Sequence, residues 1–292
     1  MRKSFMVLLM LYAAPCIFAQ DKTSINSDEM LRKSADHFYN HEYQEAETLL
    51  RQYINAQPHD PRGYWRLTLL ISRKTSPPKK RIEDKDTAPR MKGKAYQGFL
   101  ALVATGIEKA EAQIQQNPDN EEAKFIKGSL YALEGAARYE NEDIILDVFG
   151  MRRAIAAGKS IKLAIYSLGN CKLAEAKLPL GIIYYNIGSR WAGRTFAGHL
   201  LREIRPEIDL TSIENKEMRR RVLLEFIAEA YGVSLVSTNM FRDDAVFAFF
   251  NVLVQERLYD EAVSVGERLC ASYPRNEILK SQIAYLHTKT KR

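Results

Sequence analysis

The sequence predicts an all-α protein built as a solenoid of repeated helical hairpins. The first observation is a pattern of three residues that occurs near both ends of the chain. An aromatic residue is followed three positions later by an alanine, and the alanine is followed twelve positions later by a proline. The residues are Tyr43, Ala46 and Pro58 near the N-terminus and Tyr259, Ala262 and Pro274 near the C-terminus. This spacing describes a helix that packs closely on its partner and stops after about three turns. The second observation is that apolar and small residues recur at helical spacing along most of the chain, which is 46% hydrophobic. Repetition of such a unit indicates a solenoid.

The first two hairpins lie in the N-terminal half. Residues 27–60 form the first, with Asn40 and His41 in the turn between its helices. The second begins after Pro61, is interrupted by a proline-rich charged segment, and resumes as a helix over 95–116 that ends at an Asn-Pro-Asp-Asn turn. Because the interruption over 74–94 is almost free of apolar residues, it should be an exposed loop.

Less regular hairpins follow. The third hairpin covers residues 121–170. Its first helix extends to about Arg138, with the transition to the turn at Gly135, and its second helix begins at about Met151. The apolar stretch between them, 139–150, should pack across the solenoid as a short extra helix. A fourth hairpin over 174–210 becomes irregular from Ser189, and the last, 243–276, is followed by a polar capping helix over 277–290.

Four residues of the first hairpin fall on the aromatic, alanine, large apolar and proline positions of a known repeat: Tyr43, Ala46, Leu50 and Pro58. In this the chain resembles the tetratricopeptide repeat (TPR) superfamily, and Leu180-Gly181 with Tyr184 and Gly188 matches the first helix of that repeat. The resemblance implies an exported bacterial TPR-like protein, with a right-handed α-solenoid of about five degenerate hairpins in one domain, residues 20–292.

In TPR proteins the first helix of each hairpin lines a concave groove. The resemblance places six candidate partner-binding residues on this groove: Tyr39, Ser129, Tyr185, Asn186, Asn251 and Gln255. Packing between neighbouring hairpins is the alternative role for the two tyrosines. Chaperone-binding members clamp a terminal carboxylate with lysine and asparagine, but the matching positions here carry other residues: Leu31, Trp65, Phe125, Leu178 and Phe247. That particular activity is therefore not inherited.

The N-terminus has the order of a secretory signal peptide, with Arg2 and Lys3 before an apolar run and Ala19 at a small-residue cleavage position. We expect residues 1–19 to be removed after Ala19 and the mature chain to be periplasmic or extracellular. Two alternatives stay open, an uncleaved anchor and a lipid-modified Cys16. The apolar run falls short of the roughly 20 residues that cross a bilayer, and no later stretch approaches that length.

Positive charge is concentrated in one segment. The formal net charge is +7, and removal of Arg2 and Lys3 leaves +5. Residues 73–94 contain three acidic residues and nine basic ones: Arg73, Lys74, Lys79, Lys80, Arg81, Lys85, Arg90, Lys92 and Lys94. Because this local excess accounts for the basic character of the whole mature chain, the sequence weakens a nucleic-acid-binding hypothesis. It favours an exposed basic loop over 74–94 that meets an anionic envelope surface.

The sequence contains no catalytic constellation. His37 and His41 with Glu42 could in principle hold a metal, but the hairpin pattern assigns one histidine to packing and the other to the turn. Residues 157–160, Ala-Gly-Lys-Ser, are similar to the end of a phosphate-binding loop but lack its upstream glycine. We therefore expect no cofactor and no metal, and unpaired thiols at Cys171 and Cys270.

These observations lead to three functional hypotheses. The favoured one is a non-enzymatic scaffold of the bacterial cell envelope or periplasm that binds a partner protein in the concave groove. The alternative is a small-molecule-binding TPR component associated with an envelope transporter, whose enclosed pocket would be made by Tyr184, Tyr185, Trp191 and Phe196. The third is an enzyme with a site in the irregular segment 190–206.

Overall fold

The computed structural model describes residues 19–75, 91–141, 148–177, 179–181, 183, 228, 231–232 and 241–290. Every regular element within these residues is helical, which confirms the predicted all-α class. We label the helices in chain order: α1 (Ala19–Tyr39), α2 (Tyr43–Ala56), α3 (Pro61–Thr75), α4 (Gly93–Gln116), α5 (Glu121–Asn141), α6 (Val148–Gly169), α7 (Arg242–Gln255), α8 (Tyr259–Ser272) and α9 (Glu277–Thr290). A short 3-10 helix covers Ala174–Ala176.

The helices pair in the order expected of a TPR-like solenoid. α1 packs on α2, α3 on α4 and α5 on α6, and each second helix of the first two hairpins also contacts the first helix of the next hairpin. Toward the C-terminus α7 packs on α8, and α8 on α9. Each contact buries an apolar stripe, such as Ala46, Leu50 and Tyr53 on α2. This arrangement confirms the predicted α-solenoid.

One turn closes three of the hairpins and starts the helix that follows. Its sequence is Pro-x-Asx, and the Asx backbone N–H donates to the carbonyl three residues earlier at 3.0–3.1 Å: Asp60 to Gln57, Asn120 to Asn117 and Asn276 to Tyr273. The Asx side chain then accepts a hydrogen bond from a backbone N–H of the next helix at 2.8–3.0 Å: Arg62, Ala123 and Leu279. Proline ends one helix and Asx caps the next, so the predicted end at Gln116 is confirmed.

The turn inside a hairpin is also repeated. His41 between α1 and α2 has φ 64°, and Arg257 between α7 and α8 has φ 61°. In both turns the next residue donates its backbone N–H to a carbonyl five residues earlier, Glu42 to His37 at 2.9 Å and Leu258 to Leu253 at 3.0 Å. This left-handed helix ending redirects the chain within two residues.

Two glycines let α5 and α6 approach closely. A Cβ on Gly128 would lie 2.6 Å from Leu168 Cγ, and one on Gly135 would lie 2.6 Å from Ile161 Cγ1. The prediction that Gly135 ends the first helix is wrong, because α5 continues to Asn141 and the glycine serves packing instead. Residues 139–141 continue α5 and 148–150 open α6, so they are not a separate extra helix.

Helix α7 lies across the inner face formed by α1, α3 and α5. Three residues at intervals of three contact this face: Phe241, just before α7, and Asp244 and Phe247 within it. Phe241 contacts Trp65 and Phe125, Asp244 contacts Arg66, and Phe247 contacts Tyr39. This spacing puts the three side chains on one side of the helix. Part of the inner face of the N-terminal hairpins is therefore covered by α7 of the C-terminal hairpin.

The turn before α9 adds polar contacts to this closure. Asn276 Nδ2 donates to the backbone carbonyl of Tyr39 at 2.7 Å. The Arg275 guanidinium lies 2.7 Å from Asp36 Oδ2 and 2.9 Å from Glu42 Oε1. The two hairpins with the most regular sequence pattern, 27–60 and 243–276, thus contact each other directly.

Several predictions concern segments beyond the described residues. They are the signal peptide up to residue 18, most of the basic loop (76–90), and the segment around Trp191. Among the helices that are described, none combines the length and the apolar character needed to span a bilayer.

Candidate functional site

Aromatic rings form the contact between α7 and the inner face. Tyr39 and Phe247 stack with centroids 4.8 Å apart and planes 4° from parallel. Phe241 packs edge-on against Trp65 at 4.9 Å and lies 4.2 Å from Phe125. Trp65, Phe125 and Phe247, which the resemblance alone matches to the carboxylate clamp of chaperone-binding proteins, here pack against other aromatic rings.

A buried ion pair crosses the same contact. Arg66 Nη1 of α3 lies 2.9 Å from Asp244 Oδ2 of α7 and donates to the Tyr39 hydroxyl at 3.2 Å. The guanidinium also stands 4.6 Å from the centre of the Trp65 ring. Burial raises the pKa of the Asp244 carboxyl, and the Arg66 charge opposes that rise. Burial disfavours the charged form of Arg66, but Asp244, Tyr39 and Tyr273 together outweigh it and raise the pKa of the guanidinium.

Beside this contact lies a cavity of about 230 Å³. Its walls come from helical faces: α3 contributes Trp65, Leu69 and Arg73 at four-residue spacing, and α5 contributes Phe125, Ser129 and Leu133. The opposite wall is α7 with α9. The lining is mainly aromatic and aliphatic with a few polar groups, which is the usual composition of small-ligand sites.

Three polar side chains that line the cavity have no hydrogen-bond partner among the described residues. They are the Trp65 indole N–H, the Ser129 hydroxyl and Glu175 Oε1. The residues are 2%, 8% and 3% exposed, so bulk water does not satisfy them. Burial of a polar atom without a partner costs on the order of 1–3 kcal/mol. Asp244 Oδ2 differs from them, because it forms the ion pair with Arg66.

The structure brings together some of the predicted groove residues. Tyr39, Ser129 and Asn251 come from three different hairpins and line this one cavity. Tyr39 packs between hairpins, as the alternative role for it states, while Gln255 is exposed at the end of α7. Tyr185 and Asn186 lie outside the described residues, as do Tyr184, Trp191 and Phe196 of the alternative pocket.

Part of the predicted basic loop is helical. Arg73 and Lys74 belong to the last turn of α3, where positive charge is favourable, and Lys94 belongs to the first turn of α4. Lys74 Nζ pairs with Glu47 Oε2 at 2.7 Å, and Arg73 lines the cavity. Lys92 and Lys94 are exposed. The other five basic residues lie outside the described part of the chain: Lys79, Lys80, Arg81, Lys85 and Arg90.

His41 lies at the edge of the cavity. Its ring stacks on Tyr43 at 5.3 Å, and its Nδ1 lies 3.3 Å from the Tyr43 hydroxyl. Burial, together with the nearby charge of Arg73, lowers the pKa of His41 to about 4. Burial likewise raises the pKa of Tyr43. The ring of His41 is therefore neutral at physiological pH.

The metal and cysteine predictions can be compared with side-chain positions. His37 Nδ1 contacts Glu42 Oε2 at 2.5 Å, while His41 turns to Tyr43. The described residues contain no cluster of three or more metal-ligating side chains. Cys171 and Cys270 are both free thiols. Burial raises the pKa of the Cys171 thiol to about 12, so this thiol is weakly reactive.

Sequence reasoning missed three residues of the site: Glu175, Phe241 and Asp244. Glu175 sits in the short 3-10 helix and has no periodic pattern around it. The acidic pair Asp243-Asp244 is typical of a helix start, and this explanation is sufficient at the sequence level. The ion pair of Asp244 with Arg66 therefore could not be predicted from the local sequence. The sequence did contain one indication that the inner face is covered. Trp65 and Phe125 lie at inner-face positions, and large aromatic residues there would be exposed if the groove were open.

Comparisons with known proteins identify no family for this chain. No protein-family model matches the chain, and no curated protein matches it. Among solved structures, the chain is similar to a thermophilic TPR protein of Thermus thermophilus, with 14% sequence identity and a TM-score of 0.42. The similarity covers 90% of this chain and 99% of that one. A likeness at this level carries no argument about ligand or partner.

Proposed function

We propose that the protein is a non-enzymatic scaffold of the bacterial cell envelope that binds an acidic segment of a partner protein. The fold is of a type that typically holds other proteins. The observation that carries the proposal is the convergence of first helices from separate hairpins, with Tyr39, Ser129 and Asn251 lining one cavity. α7 covers part of the inner face and leaves Asn251 half-buried and Gln255 exposed at its end.

Charge on the described surface favours an acidic partner or another anionic surface of the envelope. Arg73 lies at the cavity, and Lys92 and Lys94 are exposed at the start of α4. Neither lysine forms an ion pair within the described residues. Exposed charges of one sign speed the encounter with an oppositely charged partner and are screened by salt.

The test begins with the mature chain as bait in its native envelope fraction and identifies the partner by mass spectrometry. Binding is then measured with the purified partner. The double variant Lys92→Glu with Lys94→Glu should weaken binding about tenfold at low salt and less at high salt. Its matched control is Lys159→Glu with Arg268→Glu, since both control residues are exposed. Equal affinity of both double variants at low salt would contradict the proposal.

Export is part of the proposal and has its own test. Cell fractionation and N-terminal sequencing of the mature chain should find it outside the cytoplasm and beginning at Gln20. A chain that stays cytoplasmic with Met1 intact would remove the envelope from the proposed function.

A further inference from the structure

We propose that the outer face of helix α6 is a docking surface for an anionic lipid membrane. The residues of this face are exposed and share one side of the helix: Lys159, Lys162, Tyr166 and Asn170. No residue of α6 lines the cavity between α3, α5 and α7. The inference therefore goes beyond the proposed function and does not depend on the partner protein.

The spacing of the four residues defines the face. They follow one another at intervals of three, four and four positions, which is the period of one side of a helix. At 1.5 Å per residue, the face extends over about 16 Å. The opposite side of α6 is buried, and its Leu168 lies against Gly128 of α5. α6 therefore stays packed in the solenoid and presents only its outer face to a membrane.

Charge on α6 and in the turn after it is positive only. Residues 148–174 contain no aspartate or glutamate and five basic residues: Arg152, Arg153, Lys159, Lys162 and Lys172. An acidic neighbour of this segment, Asp119, lies 4.0 Å from Lys172 Nζ, and both side chains are largely exposed, so water screens this pair. The outer face of α6 is therefore complementary in charge to an anionic surface.

Tyr166 favours a membrane over other anionic surfaces. It is 66% exposed and is the one large apolar residue with an exposed side chain in the described part of the chain. A tyrosine ring is favourable at the boundary between lipid headgroups and acyl chains, because its body is apolar and its hydroxyl is polar. The lysines beside it reach the lipid phosphates while their methylene groups lie against apolar surface. A peptide, in contrast, is usually recognised by a groove or a sheet edge.

The first test is co-sedimentation with lipid vesicles at low salt. It uses the full mature chain, which begins at Gln20 and so lacks the apolar N-terminal run. We expect binding to vesicles of equal parts phosphatidylglycerol and phosphatidylcholine to be at least about tenfold tighter than binding to phosphatidylcholine alone. Added salt should weaken it. Equal binding to both kinds of vesicle, or binding to neither, would overturn the proposal.

A charge variant locates the docking surface. Lys159→Gln with Lys162→Gln should weaken binding to the anionic vesicles at least about tenfold, because each basic residue near such a surface contributes about fivefold. The matched control is Lys33→Gln with Lys280→Gln, which removes the same charge at exposed positions of α1 and α9. The control should weaken binding less than about threefold. Equal losses in the two double variants would mean that only net charge matters, and the proposal would fail.

The tyrosine distinguishes a membrane from an acidic protein. Tyr166→Ser should weaken vesicle binding about threefold or more at low and high salt alike, because the apolar contribution of the ring is not screened. Binding of soluble polyaspartate, a probe for an acidic protein, should not change in this variant. If Tyr166→Ser binds vesicles as the parent does, or loses as much affinity for polyaspartate as for vesicles, the face does not bind lipid. Circular dichroism should show parental helicity in every variant, since all the substituted side chains are exposed.

Discussion

Two residues at the turns inside the hairpins hold a backbone conformation that side chains disfavour. His41 and Arg257 have φ values of 64° and 61°, in the left-handed region. Glycine adopts this region without the penalty of about 1–2 kcal/mol that other residues meet, but glycine also loses more entropy on folding. The sequence pattern predicted a turn at His41 but not its left-handed geometry, because neither turn contains glycine.

Arg257→Gly should raise the free energy of unfolding by about 0.5–1 kcal/mol, because the gain at the left-handed position exceeds the entropy lost. Urea denaturation measures this change. The matched control is Arg268→Gly in the interior of α8, which should lower stability by about 1 kcal/mol. A loss of stability in Arg257→Gly would show that this turn is not left-handed.

The shifted titration of His41 predicts a pH dependence of stability. Its pKa falls from 6.5 to about 4 on folding, because burial and Arg73 disfavour the charged ring. The unfolded chain then binds more protons between these two values, so the stabilisation present above pH 6.5 is lost as the pH falls toward 4. With a discount for partial exposure, the loss is on the order of 1–2 kcal/mol.

His41→Asn separates this effect from the turn, since asparagine tolerates the left-handed conformation. Urea denaturation of the variant between pH 7 and pH 5 should show a flatter pH profile than that of the parent. His59→Asn, at an exposed histidine in the turn after α2, is the matched control substitution. A variant profile as steep as the parent's would mean that His41 stays accessible to protons.

At the scale of the element, the approach of α5 to α6 depends on a missing side chain. A Cβ on Gly128 would meet Leu168 Cγ at 2.6 Å and the Leu168 backbone nitrogen at 3.1 Å. Gly128→Ala should therefore lower the free energy of unfolding by about 1–3 kcal/mol, because the backbone cannot move aside cheaply. Gly98→Ala in α4, where a Cβ has open space, should instead raise it by about 0.5–1 kcal/mol.

Thermal unfolding of these two alanine variants, compared with the parent, checks the prediction. Opposite shifts in melting temperature are expected, since both substitutions raise helix propensity and only one creates a clash. A rise in both variants would show that α5 and α6 lie further apart than the structure places them.

The helices themselves could be predicted from sequence because their signals are local. Prolines and Asx caps fix the ends at Pro58–Asp60, Pro118–Asn120 and Pro274–Asn276, and the predicted helix over 277–290 has those bounds. Gly135 was misread because a glycine at a helix contact and a glycine at a helix end have the same local sequence. Only the neighbouring helix, which puts Ile161 against it, distinguishes the two roles.

At the scale of the whole molecule, α7 of the C-terminal hairpin covers part of the inner face of the N-terminal ones and lines a cavity there. Three of the predicted groove residues, Tyr39, Ser129 and Asn251, line this cavity, and their role in partner binding stays a prediction. The sequence could not predict the cover, because Arg66 and Asp244 lie 178 positions apart and each has an ordinary helical neighbourhood. Long-range pairing of this kind leaves no periodic trace in one sequence.

The contact between α3 and α7 is the central structural claim, since both the concave surface and the cavity depend on it. Arg66 is 4% exposed, and loss of one partner of a buried ion pair costs about 3–5 kcal/mol. When both partners are replaced, no unpaired charge is left buried. The double variant should therefore lose less unfolding free energy than the two single variants lose in sum.

The measurement is a double-mutant cycle in urea with Arg66→Met, Asp244→Leu and the double variant. We expect each single variant to lose about 3 kcal/mol of unfolding free energy and the double variant to lose at least about 2 kcal/mol less than the sum. Losses that add to within about 0.5 kcal/mol would show that the two side chains do not interact. In that case α7 does not cover the inner face, and the account of the site fails with it.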